Sequence, residues 1–271
     1  MKVSLITITY NSKKTIDATI LSIIKQSYPD IEYIIVDGGS TDGTLMILDN
    51  YRSHITTLIS EPDNGISDAF NKGIKAATGD IIGIVNSDDF LNREAISTLM
   101  EIVEKEGDFD VYYGNSIMFS ETGAYTYKPG ADLSNLPLYM ILSHPATFIK
   151  RDAYKKYGGY SLEHKCAMDF ELISKMYMKG AKFKYIDATL SCFRLGGVSK
   201  KKSLLTEKES CEIAVRNGVS RIKSKTWYLK VRLKSYLLDF FGKCGVEMLL
   251  RSFVKKQSQK NTIEIRWFLK E

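Results

Sequence analysis

Residues 77–89 read ATGDIIGIVNSDD, and the fold can be worked out from this stretch. Gly79 ends a helical pattern. The apolar run 81–85 predicts a buried strand that delivers Asp88 and Asp89 at its carboxyl end. A strand that ends in paired carboxylates indicates a ligand site at one edge of a sheet.

Two earlier stretches also place acids after apolar, strand-like runs. They are VDGGSTDGT at 36–44, which contains Asp37, and EPDNG at 61–65, which contains Asp63. The intervals are typical of alternating strands and helices, so these carboxylates should gather along one sheet edge, where α/β proteins bind ligands. A divalent metal that bridges carboxylates to substrate phosphates would satisfy such a cluster, and ribose hydroxyls would take up the remaining carboxylate. The pattern predicts a metal-dependent enzyme acting on a nucleotide-linked substrate.

Apolar periodicity predicts an α/β fold whose mixed, mainly parallel central sheet is flanked by helices. The first half should run strand 2–9, helix 12–26, strand 32–36, a helix around 45–48, strand 55–59, helix 66–77 and strand 81–85. The second half should contain a hairpin from 111–119 and 124–128, a helix beginning near residue 167 and a strand at 183–193. This domain should span residues 1–199.

Charge separates that domain from a C-terminal extension at 200–271. The extension carries 18 Lys/Arg against 7 Asp/Glu, whereas residues 1–199 carry 20 against 25. An acidic body fits carboxylate chemistry around a metal, and a basic tail fits a phosphate-rich surface. In the extension a strand signal appears only at 262–265, and the rest has long apolar-basic helical patterns.

The most informative part of the extension is residues 225–241, where aromatic and aliphatic residues alternate with lysines and arginines. Cations interrupt it long before the ~20 apolar residues of a membrane-spanning helix. Three interpretations remain open: a helix packed on its own domain, an amphipathic helix at a membrane surface, and a nucleic-acid contact.

Cysteine usage and the first residues indicate a cellular location. Four cysteines lie far apart with no C-x-x-C pair, so neither a zinc site nor a disulfide framework is indicated, and ordinary reduced thiols are expected. Met1-Lys2 leads directly into a strand-like run without the pattern of a secretory signal. A cytoplasmic protein is expected, with peripheral attachment to the inner face of the cell membrane if the basic tail binds lipid.

Each acidic motif also has an ordinary structural explanation. Asp88-Asp89 could cap a helix that begins near residue 91. Asp37-Gly38-Gly39-Ser40 could be a simple strand-to-helix turn with glycines at positive φ. Independent turns have little reason to offer a carboxylate at successive strand ends, so the combination favours a nucleotide site.

Five motifs in this order resemble family 2 glycosyltransferases with the GT-A fold. They are ITITYN, VDGGSTDGT, EPDNGISDAFNKGI, ATGDIIGIVNSDD and MDFEL, and the resemblance covers roughly residues 1–199. It implies a Rossmann-like domain that transfers a sugar from a nucleotide donor.

The resemblance implies that Asp89 holds Mn²⁺ or Mg²⁺ between the diphosphate oxygens, as the analogue of the family's D-x-D metal ligand. Asp37 would accept from the base and Asp88 would lie against the ribose. The full set of implied nucleotide-binding residues is Thr9, Tyr10, Asn11, Asp37, Gly39, Asp63, Lys72 and Asp88.

Asp169 matches the family's catalytic base, which would deprotonate the acceptor hydroxyl as it attacks the anomeric carbon from the face opposite the leaving diphosphate. The configuration would therefore invert. Here Met168 precedes it, where the family commonly has Glu. Asn115, His144 and Arg194 would contact the donor or acceptor sugar. Alternatives remain for each: Asp169 as a first-turn helix acid, Asn115 in an edge turn, His144 as a core hydrogen-bonding residue, and Arg194 in a surface loop.

The expected function is transfer of a hexose or N-acetylhexosamine, from a UDP-sugar in preference, to a glycan or polyprenyl-diphosphate-linked acceptor in bacterial surface-polysaccharide synthesis. A sugar nucleotidyltransferase fits poorly because the first strand lacks a Gly-rich, Arg-Lys phosphate loop. A non-catalytic nucleotide- or glycan-binding membrane scaffold is the other alternative, and the retained Asp89 and Asp169 argue against it.

Overall fold

The computed structural model describes residues 1–120, 123–196 and 203–243. In the described residues the strands are β1 (Val3–Thr9), β2 (Ile31–Asp37), β3 (Thr57–Ser60), β4 (Ile81–Ile84), β5 (Phe90–Leu91), β6 (Val111–Ser120), β7 (Gly123–Tyr127), β8 (Thr147–Lys150) and β9 (Phe183–Arg194). The α-helices are α1 (Ile16–Ile24), α2 (Thr44–Asn50), α3 (Ile66–Ala76), α4 (Ala95–Glu106), α5 (Arg151–Tyr157), α6 (Met168–Met178), α7 (Ser203–Arg216) and α8 (Arg221–Lys243).

The strands form one mixed sheet in the order β3-β2-β1-β4-β8-β6-β9-β5, and β7 pairs with β6. The first four strands are parallel, as the alternation of strands and helices predicts. β8 then enters antiparallel to both β4 and β6. Parallel ladders hold more residue pairs than antiparallel ones, so the predicted mixed, mainly parallel sheet is confirmed.

The chain changes direction across the sheet at β1. β2 pairs with β1 on one side, and β4 pairs with it on the other. The carboxyl ends of β1 and β4 therefore flank a topological switch point, the place where open α/β sheets bind ligands. In the β1–β2 register Thr9 pairs with Asp37, so both residues lie at this edge.

Alternate residues of the central strands supply two separate apolar layers. Ile6 and Ile34 enter the layer covered by α3 and α6, whereas Leu5 and Ile35 enter the layer covered by α1 and α4. Helices on both faces explain why β1 and β2 read as nearly uninterrupted apolar runs.

The second half of the sheet carries the other side of the site. The predicted hairpin is present as β6 and β7. β6 also runs parallel to β9, with an irregular register around Asn115. Because Phe90 pairs with Cys192, the segment that follows β4 is attached to the end of β9.

Helices α7 and α8 pack on the core through one face. Ile213 packs with Ala167 and Phe170. Trp227 stacks on Tyr139 with ring centroids 4.7 Å apart. Such packing is one of the three interpretations offered for the extension, and the domain boundary near residue 199 stays a prediction. The strand predicted at 262–265 lies outside the described residues.

None of the helices that the structure describes has a stretch long and apolar enough to cross a lipid bilayer.

Candidate active site

The carboxylate of Asp37 holds the turn that follows β2. It is fully buried and accepts hydrogen bonds from the backbone N–H of Gly39 (3.1 Å) and Ser40 (3.0 Å) and from Ser60 Oγ (2.8 Å). Gly39 has a φ of +85°, a conformation that favours glycine. The turn explanation of this motif is therefore part of the structure. Contact of Asp37 or Gly39 with a nucleotide stays a prediction.

Asp63 lies where a side chain on residue 38 would otherwise stand. A Cβ added to Gly38 would be 2.4 Å from Asp63 Oδ2 and 3.5 Å from Tyr10 Cδ2. The backbone N–H of Gly65 donates to Asp63 Oδ1 (2.9 Å), which leaves Oδ2 directed toward Gly38. The Tyr10 side chain is 63% exposed beside them. Tyr10, Gly38 and Asp63 together form a feature that we call the Tyr10–Asp63 slot. Sequence reasoning missed the part of Gly38, although the double glycine was a signal.

Lys72 holds the loop that carries Asp63. Its ammonium lies 2.9 Å from Glu61 and 3.3 Å from Asp68, and it donates to the carbonyl of Pro62 (3.1 Å). The backbone N–H of Asn64, and then Lys72, lower the pKa of Asp68, whereas Glu61 and Asp68 raise the pKa of Lys72. Lys72 thus ties the loop before α3 to that helix, and its cation is engaged by these partners. Its contact with a nucleotide stays a prediction.

The end of β1 brings a hydroxyl and an unusual backbone to the same edge. Thr9 Oγ1 is buried and has no hydrogen-bond partner. Asn11 adopts a φ of 50°, and its Oδ1 accepts from the backbone N–H of Thr41 (2.9 Å). The hydroxyls of Ser12 and Ser87 are 2.7 Å apart and share a hydrogen bond. The loop after β1 is therefore tied both to the Asp37 turn and to the segment that bears Asp88.

Asp88 and Asp89 form an acidic pair in which Asp89 is buried and Asp88 is partly buried. Asp89 is 1% exposed, and it accepts from the Arg194 backbone N–H (2.8 Å) and from Asn86 Nδ2 (3.2 Å). Burial, followed by the charge of Asp88, raises the pKa of Asp89 well above its ordinary range. Burial also raises the pKa of Asp88, an effect that Arg194 partly offsets. Burial thus disfavours the ionised form of both carboxyl groups.

Arg194 is the cation that acts on this pair. Its guanidinium lies 4.7 Å from the ring centroid of Phe119, and its Nε is 3.4 Å from the carbonyl oxygen of Asp88. The predicted surface-loop alternative for Arg194 does not describe it, because it ends β9 against the acidic pair. A contact with the sugar or diphosphate stays a prediction.

The acidic pair fits a divalent cation by its donor chemistry. Two hard carboxylates with raised pKa values would be stabilised by added positive charge, and Mg²⁺-type sites use one or two carboxylates together with substrate phosphates. Within the described residues, a three-ligand cluster is formed by Glu163, His164 and Glu171. Arg216 bonds both glutamates there, so a guanidinium already supplies the cation.

Asp169 lies in the first turn of α6, partly buried, near His144 and Tyr160. His144 Nε2 and Tyr160 Oη are 3.0 Å apart. Burial lowers the pKa of His144, and Asp169 offsets this only in part, so the imidazole is neutral at pH 7. Burial, then Tyr154 and Asp169, raise the pKa of Tyr160. The structure thus brings Asp169 and His144 together, and it adds Tyr160, which sequence reasoning missed.

The His144 cluster is joined to the sheet edge by buried hydroxyls. Ser143 Oγ accepts from Ser116 Oγ (2.6 Å), which in turn lies 2.7 Å from Ser191 Oγ. The turn at His144–Ala146 also contacts β4 and β5, the strands on either side of Asp88-Asp89. The turn at His144 therefore lies between Asp169 and the strands that flank the acidic pair.

Asn115 is 2% exposed, and both polar atoms of its side-chain amide already have partners. Its Nδ2 donates to Asp187 Oδ1 (3.0 Å), and its Oδ1 accepts from Tyr185 Oη (2.7 Å). It lies in the irregular part of the β6–β9 ladder, so it belongs to the sheet interior and not to the predicted edge turn. Its contact with a donor sugar stays a prediction.

Comparisons with known proteins assign this arrangement to a class. The fold matches TarS of S. aureus in complex with UDP-GlcNAc with a TM-score of 0.65, at 22% identity, over 79% of this chain and 64% of that one. It also matches the mannosyltransferase PcManGT of Pyrobaculum calidifontis in complex with GDP-Man and Mn²⁺, with a TM-score of 0.64 at 16% identity, over 94% of this chain and 84% of that one. These likenesses define a GT-A transferase fold. In the comparison with the UDP-GlcNAc complex, this chain covers 64% of the TarS chain, which is less than two thirds of its length.

The family follows from the sequence match. The profile of "Glycosyl transferase family 2" matches residues 4–175. The chain belongs to this family and is a glycosyltransferase. It is 27% identical over 202 residues to a PGL/p-HBAD biosynthesis glycosyltransferase of Mycobacterium bovis. The aligned region covers 72% of this chain and 78% of that relative. The family and fold predicted from the five motifs are confirmed.

Proposed function

We propose that this glycosyltransferase moves a hexose or N-acetylhexosamine from a nucleoside diphosphate sugar, UDP-linked in preference, to a glycan or lipid-linked glycan of the cell surface. The observation that carries the proposal is the position of the acidic pair, which follows β4 at the switch point of the sheet with Asp89 buried and Arg194 beside it. TarS, which shares the fold, binds UDP and UDP-GlcNAc.

The nucleotide is proposed to bind in the Tyr10–Asp63 slot. The exposed ring of Tyr10 offers a surface for base stacking, and Asp63 Oδ2 offers an acceptor for a base N–H. The unpartnered hydroxyl of Thr9 at the end of β1 gains a partner when ribose or phosphate binds there. Asp88 is the more exposed member of the acidic pair and is assigned to the ribose.

Asp89, with Asp88 beside it, is proposed to hold Mn²⁺ or Mg²⁺. When bound, such an ion supplies Lewis-acid stabilisation of the negative charge on the leaving diphosphate. Arg194 adds a second positive charge at the same edge, 3.4 Å from the Asp88 carbonyl oxygen. PcManGT, which has the same fold, binds Mn²⁺ together with GDP-Man.

Asp169 is proposed to act as the general base. It takes the proton of the acceptor hydroxyl while the acceptor oxygen bonds to the anomeric carbon and the bond from that carbon to the diphosphate oxygen breaks. Attack from the face opposite the leaving group inverts the configuration. Burial disfavours the charged imidazolium of His144 and the ionised phenol of Tyr160 by shifting the pKa of each, so these two neighbours are assigned to orient the acceptor and not to act as the base.

A donor panel tests this function. Release of nucleoside diphosphate from UDP-, GDP- and dTDP-sugars is measured with Mn²⁺ or Mg²⁺ for the wild type, Asp89→Asn, Asp169→Asn and the matched control Asp49→Asn, an exposed aspartate on α2. We expect metal-dependent release from one donor, retained by the control and reduced at least about 100-fold by either site substitution. Nucleotide binding without any release would favour the non-catalytic scaffold instead. Inversion is checked by the anomeric configuration of the product.

We also infer that α8 rests on an anionic membrane surface. Its outer face presents Ile222, Leu229 and Leu233, which are 81%, 51% and 52% exposed and recur at helical spacing. Exposed Lys223 and Lys230 flank this stripe on one side, with further cations on the other. An apolar stripe between cations matches acyl chains bordered by anionic headgroups, and it places the enzyme beside a lipid-linked acceptor.

Vesicle flotation tests the membrane inference. The full chain should float with vesicles containing phosphatidylglycerol and remain behind with pure phosphatidylcholine. Leu229→Asp should reduce flotation at least about tenfold. Leu204→Asp, at a 64% exposed leucine on α7, is the matched control and should float like the wild type. Equal flotation of both variants, or none by the wild type, would remove this inference and leave the transferase function untouched.

A further inference from the structure

A glutamate from outside the family-matched segment holds the chain directly before the candidate base. Glu209 lies on α7, whereas the family match ends at residue 175. Its carboxylate accepts three backbone N–H groups, from Lys165 (2.9 Å), Cys166 (2.8 Å) and Ala167 (2.9 Å). Asp169 follows two residues later, in the first turn of α6.

These three bonds satisfy backbone groups that lie immediately before α6, outside any helix or strand. A backbone N–H that is buried without a partner is costly, and Glu209 supplies the acceptor for each of the three. Glu209 is 5% exposed. Burial by itself raises the pKa of Glu209, but the three amide bonds and His164 outweigh it, so the pKa is lowered and the carboxylate is ionised at neutral pH. One buried carboxylate therefore holds the backbone of residues 165–167, which lead directly into α6.

The same face of α7 contacts α6 at two further points. Ile213 packs against Ala167 and Phe170, residues on either side of the start of α6. Arg216 bonds Glu171 (3.3 Å), one turn into α6. Glu209, Ile213 and Arg216 are spaced four and three residues apart, so they lie on one helix face. That face fixes α6 both before and after Asp169.

We propose that Glu209 is a positioning residue, which holds the backbone at 165–167 so that the carboxylate of Asp169 is directed at the acceptor hydroxyl. The inference rests on the proposed function of Asp169 as the base. Glu209 acts through the backbone and has no assigned contact with a substrate. Its part in the reaction makes α7 a component of the active site.

Three variants separate positioning from simple stability: Glu209→Gln, which keeps one acceptor oxygen, Glu209→Ala, which keeps none, and Glu212→Gln, an exposed glutamate on the same helix as the matched control. For each full-length variant, kcat and the donor KM are measured at a temperature where circular dichroism shows a folded protein. Calorimetry with UDP and Mn²⁺ gives the affinity and the fraction of binding-competent molecules. Amide hydrogen exchange is followed at residues 165–170.

The expected kcat falls about 10-fold in Glu209→Gln and up to about 100-fold in Glu209→Ala, while the donor KM, UDP affinity and binding stoichiometry stay within about twofold of the wild type. Exchange at 165–170 should accelerate about tenfold or more, with β1 and β4 unchanged. The control should match the wild type in every measurement.

Two results would overturn the inference. One is a wild-type kcat in Glu209→Ala. The other is a loss of UDP-binding capacity in the same proportion as kcat, which is the signature of global unfolding. If the wild type itself fails to turn over any donor, the proposed function fails, and the positioning role for a base fails with it. A working wild type with an unaffected Glu209→Ala removes this inference alone.

Discussion

Replacement of Gly38 by alanine should weaken nucleotide binding through Asp63 alone. The added Cβ would be 2.4 Å from Asp63 Oδ2, about 1 Å short of an ordinary contact of 3.4 Å. The backbone at Gly38 is not in the left-handed region, so alanine adds no conformational strain there. Since Asp63 Oδ2 is the free end of a side chain, the carboxylate can turn away. Folding stability should therefore fall by no more than roughly 0.5 kcal/mol.

The magnitude follows from the hydrogen bond that Asp63 is proposed to accept from the base. Hydrogen bonds to charged groups contribute about 1.5–3 kcal/mol. Their loss corresponds to a Kd for UDP that is roughly 10- to 150-fold weaker. Calorimetric titration with UDP in the presence of Mn²⁺ measures this directly, with Asp63→Ala expected to show a loss of the same size.

A double-mutant cycle decides whether the effect passes through Asp63. With Asp63→Ala in place, the Gly38→Ala methyl meets only Tyr10 Cδ2 at 3.5 Å, an ordinary contact, so it should weaken UDP binding no further. Additive losses in the double variant would refute the reasoning. So would a wild-type Kd in Gly38→Ala.

Three further substitutions test other parts of the structure. Asp89→Asn should raise the metal-free melting temperature by roughly 3–8 °C at pH 7.5 and by less at pH 5. Because the pKa of Asp89 is raised in the folded protein, its ionisation lowers the free energy of unfolding more and more as the pH rises above the ordinary aspartate pKa. The stabilisation that Mn²⁺ gives the wild type should be absent from this variant. Glu32→Gln should lower the free energy of unfolding, measured with urea, by roughly 1–3 kcal/mol at pH 7. This difference from the wild type should become small toward pH 3, because hydrogen bonds lower the pKa of Glu32 despite its burial; a difference independent of pH would contradict this. Gly73→Ala should unfold at a lower urea concentration than the wild type, because the added Cβ would lie 2.5 Å from Ile6 Cγ2. This clash should outweigh the preference of about 1 kcal/mol for alanine over glycine in a helix. A higher unfolding midpoint would show that the contact between α3 and β1 relaxes.

Local patterns predicted the elements of the first half well, with errors at their ends. The helix predicted from residue 12 begins at Ile16, because Ser12–Thr15 forms a turn. The third strand, predicted at 55–59, is Thr57–Ser60, because a short 3₁₀ turn at Arg52–His54 precedes it. Apolar periodicity reports which face of an element is buried, and it is less sensitive to where hydrogen bonding starts.

The candidate site was predicted in outline, and its details depend on distant partners. The acids at successive strand ends do meet at one edge, since parallel strands present their carboxyl ends together. Asn115 turned inward because Tyr185 and Asp187 on β9 take its amide. Lys72 pairs with Asp68 one turn earlier on α3, which helical spacing does indicate, and with Glu61 in the loop before that helix. The partners of Asn115 are about 70 residues away in the chain, so local spacing gives no sign of them.

The sequence alone determined the alternation of strands and helices, the family, and which strand ends carry acids, because these depend on the order and spacing of residues along the chain. Tertiary structure decided what each acid does. Asp37 accepts from Ser60 on β3, Asp63 enters the space left by Gly38, and Glu209 reaches back from α7 to the chain before α6. Each of these roles depends on a distant residue that only the packing of strands and helices brings into contact, so burial and geometry, rather than residue type, separate one carboxylate from another.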